Sequence, residues 1–236
     1  MYDKKKSFFL SKVLPLENAQ IYLAFYSLIR TFVPCMKKIN IAIFVSGGGT
    51  NCENLIKYFA GSERVNCALV VSNKAEALAL ERAKNLNVPT AVAPKAQLND
   101  EEFMLPLLRQ YDIDFIVLAG FLPLVPNYLI DAFPRRIINL HPALLPKFGG
   151  KGMWGHHVHE AVKAAGETET GMTVHYVTPV CDSGEMIAQY RVSLSPEDSV
   201  DDIAAKEHEL EMKYFPKVVE EVIGAIWGEL RGVRGS

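Results

Sequence analysis

The chain has 236 residues and a mass of 26.3 kDa; 49% are hydrophobic and 22% charged, which excludes a disordered or low-complexity polymer, and a chain of this length buries about 70% of its unfolded surface without disulfides. A formal net charge of −2 with both signs interspersed argues against nucleic acid as a partner, since phosphate neutralisation needs a clear basic excess. The longest apolar runs, Ile21 to Ile29 and Phe115 to Val125, are too short to cross a membrane, and Cys35, Cys52, Cys67 and Cys181 show no paired spacing, which points to reduced thiols in a cytoplasmic protein.

Residues 1–35 carry five basic and two acidic side chains, leaving 20 against 25 for the rest. This asymmetry marks them as an N-terminal extension outside the fold. Glu17 and Asn18 before the apolar run, Arg30 after it and the lack of a small-residue cleavage site argue against a signal peptide, and the segment is poor in Arg and Ser for a transit peptide. Met36-Lys37-Lys38 leads directly into an apolar run, so translation is expected to start at Met36 and one domain to occupy residues 36–230.

From Ile39 short β-rich runs alternate with amphipathic stretches, the pattern of βαβ units and a parallel sheet. Strands are predicted at Ile39–Val45, Cys67–Ser72, Thr90–Ala93, Phe115–Ala119 and Ile137–Asn139, with helices near 51–60, 75–86, 100–110 and 125–132. The first strand runs into Ser46-Gly47-Gly48-Gly49-Thr50-Asn51 at a helix start, where backbone N–H groups and the helix terminus converge on a place for an anion. Two readings stand: a phosphate site, or a tight turn in which Thr50 or Asn51 caps the helix. A P-loop is excluded because Gly-Lys-Ser/Thr is missing, and a dinucleotide fold because G-x-G-x-x-G is missing and the second strand ends in Ser72-Asn73-Lys74 without an acid.

The fifth strand ends in Asn139-Leu140-His141-Pro142-Ala143-Leu144-Leu145-Pro146. Asn139 and His141, two apart on extended backbone, point the same way. An amide donor beside an imidazole suits a developing oxyanion, although a satisfied core histidine is an equal reading. Phe148 to Gly155 is glycine-rich and contains Trp154, as a mobile flap would. Helical spacing is expected through His156, His157 and His159.

Met172–Val177 and Glu185–Val192 read as an antiparallel pair around Asp182-Ser183-Gly184. Asp182 either shapes that turn or approaches His141, where its charge would raise the imidazole pKa. A C-terminal helix is predicted to open near Ser195, Pro196 and Asp198, with Pro216 kinking it or starting another, and Val218, Val219, Val222, Ile223, Ile226 and Trp227 forming its buried face. The fold class is therefore α/β: a doubly wound, mostly parallel, Rossmann-like sheet with an antiparallel C-terminal edge.

Ser-Gly-Gly-Gly-Thr-Asn at 46–51, Val-Leu-Ala-Gly-Phe at 117–121, Asn-Leu-His-Pro-Ala-Leu-Leu-Pro at 139–146 and the late Asp182 together resemble the folate-dependent phosphoribosylglycinamide formyltransferases over about residues 38 to 225. The resemblance implies transfer of a formyl group from 10-formyltetrahydrofolate, a cosubstrate, to the amine of glycinamide ribonucleotide, with no metal. It implies that Asn139 and His141 stabilise the oxyanion and that Asp182 keeps His141 protonated and helps move the amine proton. It further implies that Gly49, Thr50 and Asn51 hold the substrate phosphate, that His208 and Glu211 contact its ribose and amine-bearing side, and that the folate pterin lies between Leu122, Pro123, Leu124 and Val125 and Thr178, Pro179, Val180, Cys181 and Asp182. Pro123, Ser183 and His208 depart from the residues usual at those family positions.

Four rivals remain at the level of sequence. A metal hydrolase would use His156, His157 and His159, but no acid or thiol cluster completes a coordination set. Formyltetrahydrofolate hydrolase and methionyl-tRNA formyltransferase share the Asn-His-Asp set but carry an additional domain. A non-enzymatic phosphate-binding module would need only the glycine loop.

Overall fold

The computed structural model describes residues 38–232, with side chains through Ile226. The N-terminal extension, the expected start at Met36 and the Trp227 side chain lie outside the described residues. A compact unit begins at Lys38.

Strand β1 (Ile39–Val45) is apolar at nearly every position because both of its faces are covered. Ile39, Ile41, Ile43 and Val45 face one core; Ala42 and Phe44 face the other. Parallel strands β2 (Val65–Ser72), β3 (Thr90–Val92), β4 (Phe115–Leu118) and β5 (Ile137–His141) extend the sheet, followed by antiparallel β6 (Glu169–Tyr176) and β7 (Met186–Ser193). The order β3-β2-β1-β4-β5-β6-β7 matches the expected sheet, including its antiparallel edge. Between β1 and β4 the winding reverses, and such a switch point opens a crevice at the carboxyl ends of the strands.

One face is packed by α1 (Thr50–Phe59), α2 (Leu78–Asn85) and the long α7 (Val200–Gly232). The other is packed by α3 (Lys95–Leu98), α4 (Glu101–Gln110) and α5 (Asn127–Ala132). Helix α6 (His156–Ala164) joins Ala143, Phe148 and Ile203 in a third apolar cluster. Departures from the predicted elements are local. Helix α2 starts at Leu78 rather than 75, β2 starts at Val65 rather than 67, and the short α3 precedes the helix predicted from 100.

The C-terminal helix opens later than expected, after Ser199. Ser199 and Asp202 form a reciprocal capping box, with Asp202 N–H donating to Ser199 Oγ at 3.1 Å and Ser199 N–H to Asp202 Oδ2 at 2.9 Å. Ser195 and Asp198 instead close a separate turn through Ser195 N–H to Asp198 Oδ2 at 2.8 Å. Pro216 neither ends the helix nor starts another. A proline removes the donor for the carbonyl four residues back, here Met212, and the Asn54 side chain of α1 supplies a replacement at 2.8 Å.

Candidate active site

The crevice at the switch point is a cleft of about 800 Å³. Its walls come from the turns after β1 and β4, the end of β5, the 150–155 loop, and one face of α7. Along the sheet, β1 and β5 flank β4. The glycine turn and the catalytic candidates therefore sit two strands apart with the 119–124 turn between them.

Gly49, at φ 76, is the N-cap of α1, and no side chain caps the helix. Neither Thr50 nor Asn51 takes that role, so the capping expectation is corrected: Thr50 is already helical, and the Asn51 amide donates to Glu211 Oε2 at 2.7 Å. A Cβ at Gly49 would come within 2.4 Å of Ala79 Cβ and 2.6 Å of its Cα, so packing demands glycine. Gly47 and Gly48 have nothing within 4 Å of a Cβ, so the fold does not require their bareness. It leaves backbone N–H groups open at an uncapped helix start, beside Lys74 on the cleft wall. Ser46, buried, links the surrounding turns: its hydroxyl donates to Asn73 Oδ1 at 2.6 Å and accepts from Leu122 N–H at 2.9 Å.

At the other end, β5 pairs with β6 so that Asn139 faces His175 and His141 faces Thr173. Thr173 Oγ1 donates to Ala143 O at 2.6 Å and accepts from Leu145 N–H at 3.1 Å, fixing the chain just after His141. His175 Nδ1 lies 2.9 Å from Tyr176 O, which assigns the hydrogen to Nδ1. Nε2 is then the acceptor for Asn139 Nδ2 at 3.1 Å. Asp182, at φ 51, reaches into the same group. Its Oδ1 is 3.5 Å from His175 Nε2, its Oδ2 is 3.7 Å from His141 Nδ1, and Oδ2 accepts from Gly150 N–H at 2.8 Å. Gly149 eases this approach, since a Cβ there would meet Asp182 Cβ at 3.2 Å as well as Leu145 Cδ2 at 2.4 Å.

His141 is 3% exposed, and its Nε2 donates to Phe148 O at 2.6 Å. Burial lowers its pKa more than Asp182 and the Phe148 carbonyl raise it, with His175 also acting downward. The expectation that Asp182 raises the imidazole pKa is therefore right for its own contribution and wrong for the sum: desolvation wins, and the imidazole rests neutral. Burial would also raise Asp182, but the hydrogen bond from Gly150 N–H and the adjoining His175 and His141 rings hold it down at about 2.

The other expected residues divide. His208 and Glu211 line the cleft, with His208 Nδ1 3.0 Å from Glu211 Oε2. That contact raises the His208 pKa against the effect of burial. Leu122, Leu124 and Cys181 also line it, as do Gly49, Thr50 and Asn51. Pro123, Val125, Thr178, Pro179 and Val180 do not: Val125 packs into the core beneath, and Thr178 Oγ1 is spent on Val180 O and Ser183. The histidines considered as metal ligands separate. His156 faces Asp201 at 3.9 Å and His157 faces Glu160 at 3.2 Å, whereas His159 is buried against the cleft. Among the described residues no group of three His, Cys, Asp or Glu side chains is arranged to hold a metal ion.

The sequence profile of the formyl transferase family matches residues 39–219. The phosphoribosylglycinamide formyltransferase of Bacillus subtilis is 34% identical over 194 residues, covering 80% of this chain and 96% of that protein. The chain belongs to the phosphoribosylglycinamide formyltransferase family. The chloroplastic phosphoribosylglycinamide formyltransferases of Arabidopsis thaliana and Vigna unguiculata are 38% and 36% identical, and the chain spans 67% and 64% of their lengths while 82% and 81% of it is covered. Among solved structures, the phosphoribosylglycinamide formyltransferase of Bacillus halodurans superposes with a TM-score of 0.71 at 34% identity over 78% of this chain and 95% of that one. The enzyme from Anaplasma phagocytophilum gives 0.70 at 35% over 78% and 86%.

Within this family member, sequence reasoning passed over His175, Lys74, Glu207 and the cleft-facing role of His159. His175 left a trace: Thr173 and His175 are buried polar positions alternating with the apolar Met172 and Val174. Glu207 left none, because an acid on a long polar helix normally reads as solvated.

Proposed function

We propose that this protein transfers the formyl group of 10-formyltetrahydrofolate to the amine of glycinamide ribonucleotide, releasing formylglycinamide ribonucleotide and tetrahydrofolate, a step of purine biosynthesis. The observation that carries the reading is the convergence of Asn139, His141 and Asp182 on one cleft whose other end is the uncapped glycine turn. The family membership supports the same reaction.

In this assignment the N–H groups after Gly47 and the Lys74 ammonium take the phosphate, and Glu211 with His208 takes the ribose and amine-bearing side. Asn139 Nδ2 and His141 Nε2–H donate to the oxygen of the formyl carbon as negative charge builds on it. Nucleophilic attack leaves the amine with a surplus proton, and the addition intermediate collapses when a proton reaches the departing folate nitrogen. His141 and Asp182 are the groups on this chain suited to carry it, directly or through water: Asp182 is ionised, and its charge 3.7 Å from Nδ1 stabilises the imidazolium that forms when His141 takes up the proton. The apolar Leu122 and Leu124, with Cys181, would receive the folate, and the 148–155 loop would close over it.

The test is formyl transfer from 10-formyltetrahydrofolate to glycinamide ribonucleotide by wild type and His141→Ala. A drop in kcat of about 10³-fold is expected from loss of the donor and proton carrier; equal rates would remove His141 from the mechanism. A chain begun at Met36 is expected to keep full activity, because residues 36–230 are assigned the whole function. The cytoplasm is the assigned location, supported by the free thiols of Cys52, Cys67 and Cys181; a tagged chain found in an organelle would contradict it.

A further inference from the structure

Buried polar atoms nearly always find partners, yet Asn51 Oδ1, His159 Nδ1 and Glu207 Oε1 have none, and all three residues line the same cleft. They come from three helices, α1, α6 and α7, and line the cleft together with Glu211. Glu207 is 2% exposed and Glu211 8%. Two carboxyl groups one helical turn apart in so dry a place cannot both be charged. Glu211 already accepts from other donors, Asn51 Nδ2 at 2.7 Å and His208 Nδ1 at 3.0 Å, which favours placing the shared proton on Glu207. Burial first, then the charge and hydrogen bonding of Glu211, push the Glu207 carboxyl well above the usual carboxylate range.

We propose that Glu207 is a positioning residue: as a neutral carboxylic acid it gives its hydrogen to Glu211 and so fixes that carboxylate toward the amine-bearing and hydroxyl-bearing side of the nucleotide substrate. This rests on the formyl-transfer reading for its substrate and adds a residue to that site. The neutral acid serves where neither its charged form nor an apolar side chain would. Ionised, it would place a second negative charge against Glu211; replaced by carbon, it would leave one carboxylate oxygen undirected.

Loss of that proton should appear at alkaline pH, and other groups titrate nearby. On α7 these are Glu211 and His208; α6 presents His159, while α1 presents only the uncharged Thr50 and Asn51. Lys74 and Lys151 also face the cleft, with His141, Cys181 and Asp182 at its catalytic end, and no residue of β6 or β7 lines it. Tyr190 of β7 meets α7 further along, stacked on Tyr214. A variant at Glu207 itself therefore has to assign the effect.

Steady-state kinetics on the full chain, from neutrality to a pH of about 9.5, would compare wild type, Glu207→Gln and Glu207→Leu. In wild type, KM for glycinamide ribonucleotide should rise by up to about tenfold per pH unit once the acid ionises, while kcat holds. Glu207→Gln, which keeps a donor and cannot ionise, should match wild type within about threefold at neutrality and lack the rise; Glu207→Leu should have KM raised about tenfold throughout. A rise that persists in Glu207→Gln, or a flat wild-type profile, overturns the proposal. The infrared carbonyl band of a protonated carboxyl, present in wild type at neutral pH and lost in Glu207→Gln, reads the same proton without any substrate, and its absence from wild type overturns the proposal as well. An inactive wild type that shows the band would refute the assigned reaction and the substrate contact, with the protonated pair standing on the band alone.

Discussion

The two ends of the cleft are built by different means. At the β1 end, six consecutive residues with Lys74 beside them line the cleft, and what the six chiefly offer is main chain: N–H groups, a helix terminus, and glycines that leave room. At the β5 end, four side chains from positions 139, 141, 175 and 182 meet across an antiparallel pair, each holding another in place. Backbone suits a ligand group that stays unchanged through a reaction, such as a phosphate, because its dipoles need no adjustment. Side chains suit the place where charge and protons move, because their ionisation can be tuned by neighbours. On the proposed assignment, recognition and chemistry are separated along one sheet by two strands.

That division makes the sharpest demand on Asp182→Asn. Removing the charge beside His141 is expected to lower kcat by about 10²-fold or more while leaving KM for glycinamide ribonucleotide near wild type; a KM change of similar size would show that the two ends are not independent. The same variant tests stability. Asp182 is held at about 2 in the folded chain against an ordinary 3.8, so its contribution is present above pH 3.8 and is lost as pH falls toward 2. Denaturant titrations should show about 2 kcal/mol of acid destabilisation in wild type that Asp182→Asn lacks.

Gly49→Ala probes the opposite end. With Ala79 backbone and Cβ inside 2.6 Å of the new methyl group and φ at 76, stability should fall by about 2 kcal/mol and KM for the nucleotide should rise, with kcat less affected. A mild effect, together with a wild-type crystal structure showing α2 displaced, would mean the turn is looser than its packing indicates. The smallest effect belongs to neither end: Asn54→Leu strips the donor from Met212 O opposite Pro216 and should cost about 1 kcal/mol, measurable by denaturation, with kinetics unchanged.

The same contrast explains what could be read from the sequence. Strand runs such as Ile39–Val45 and the glycine turn are contiguous, so their periodicity and composition reveal them directly. Asn139 and His141 were legible because they lie two apart on one strand. Their partnership with Asp182 came through resemblance, since no spacing rule links positions that lie 43 and 41 residues apart. His175 was missed because its pairing with Asn139 depends on strand register, and Glu207 because burial of an acid is a property of what packs over α7. The sign of the His141 shift also depended on burial, which a sequence does not display. At Pro216 a local rule predicted a break that a distant side chain, Asn54, repairs.

The hydrogen bond from His141 Nε2 to the Phe148 carbonyl means that the imidazole proposed to act in catalysis is already occupied at rest. An arriving oxygen must displace that carbonyl, so it gains only the difference between two hydrogen bonds instead of a whole one. The exchange works in reverse at the end of a turnover: the carbonyl stands ready to reclaim the imidazole and favours departure of whatever has been bound there.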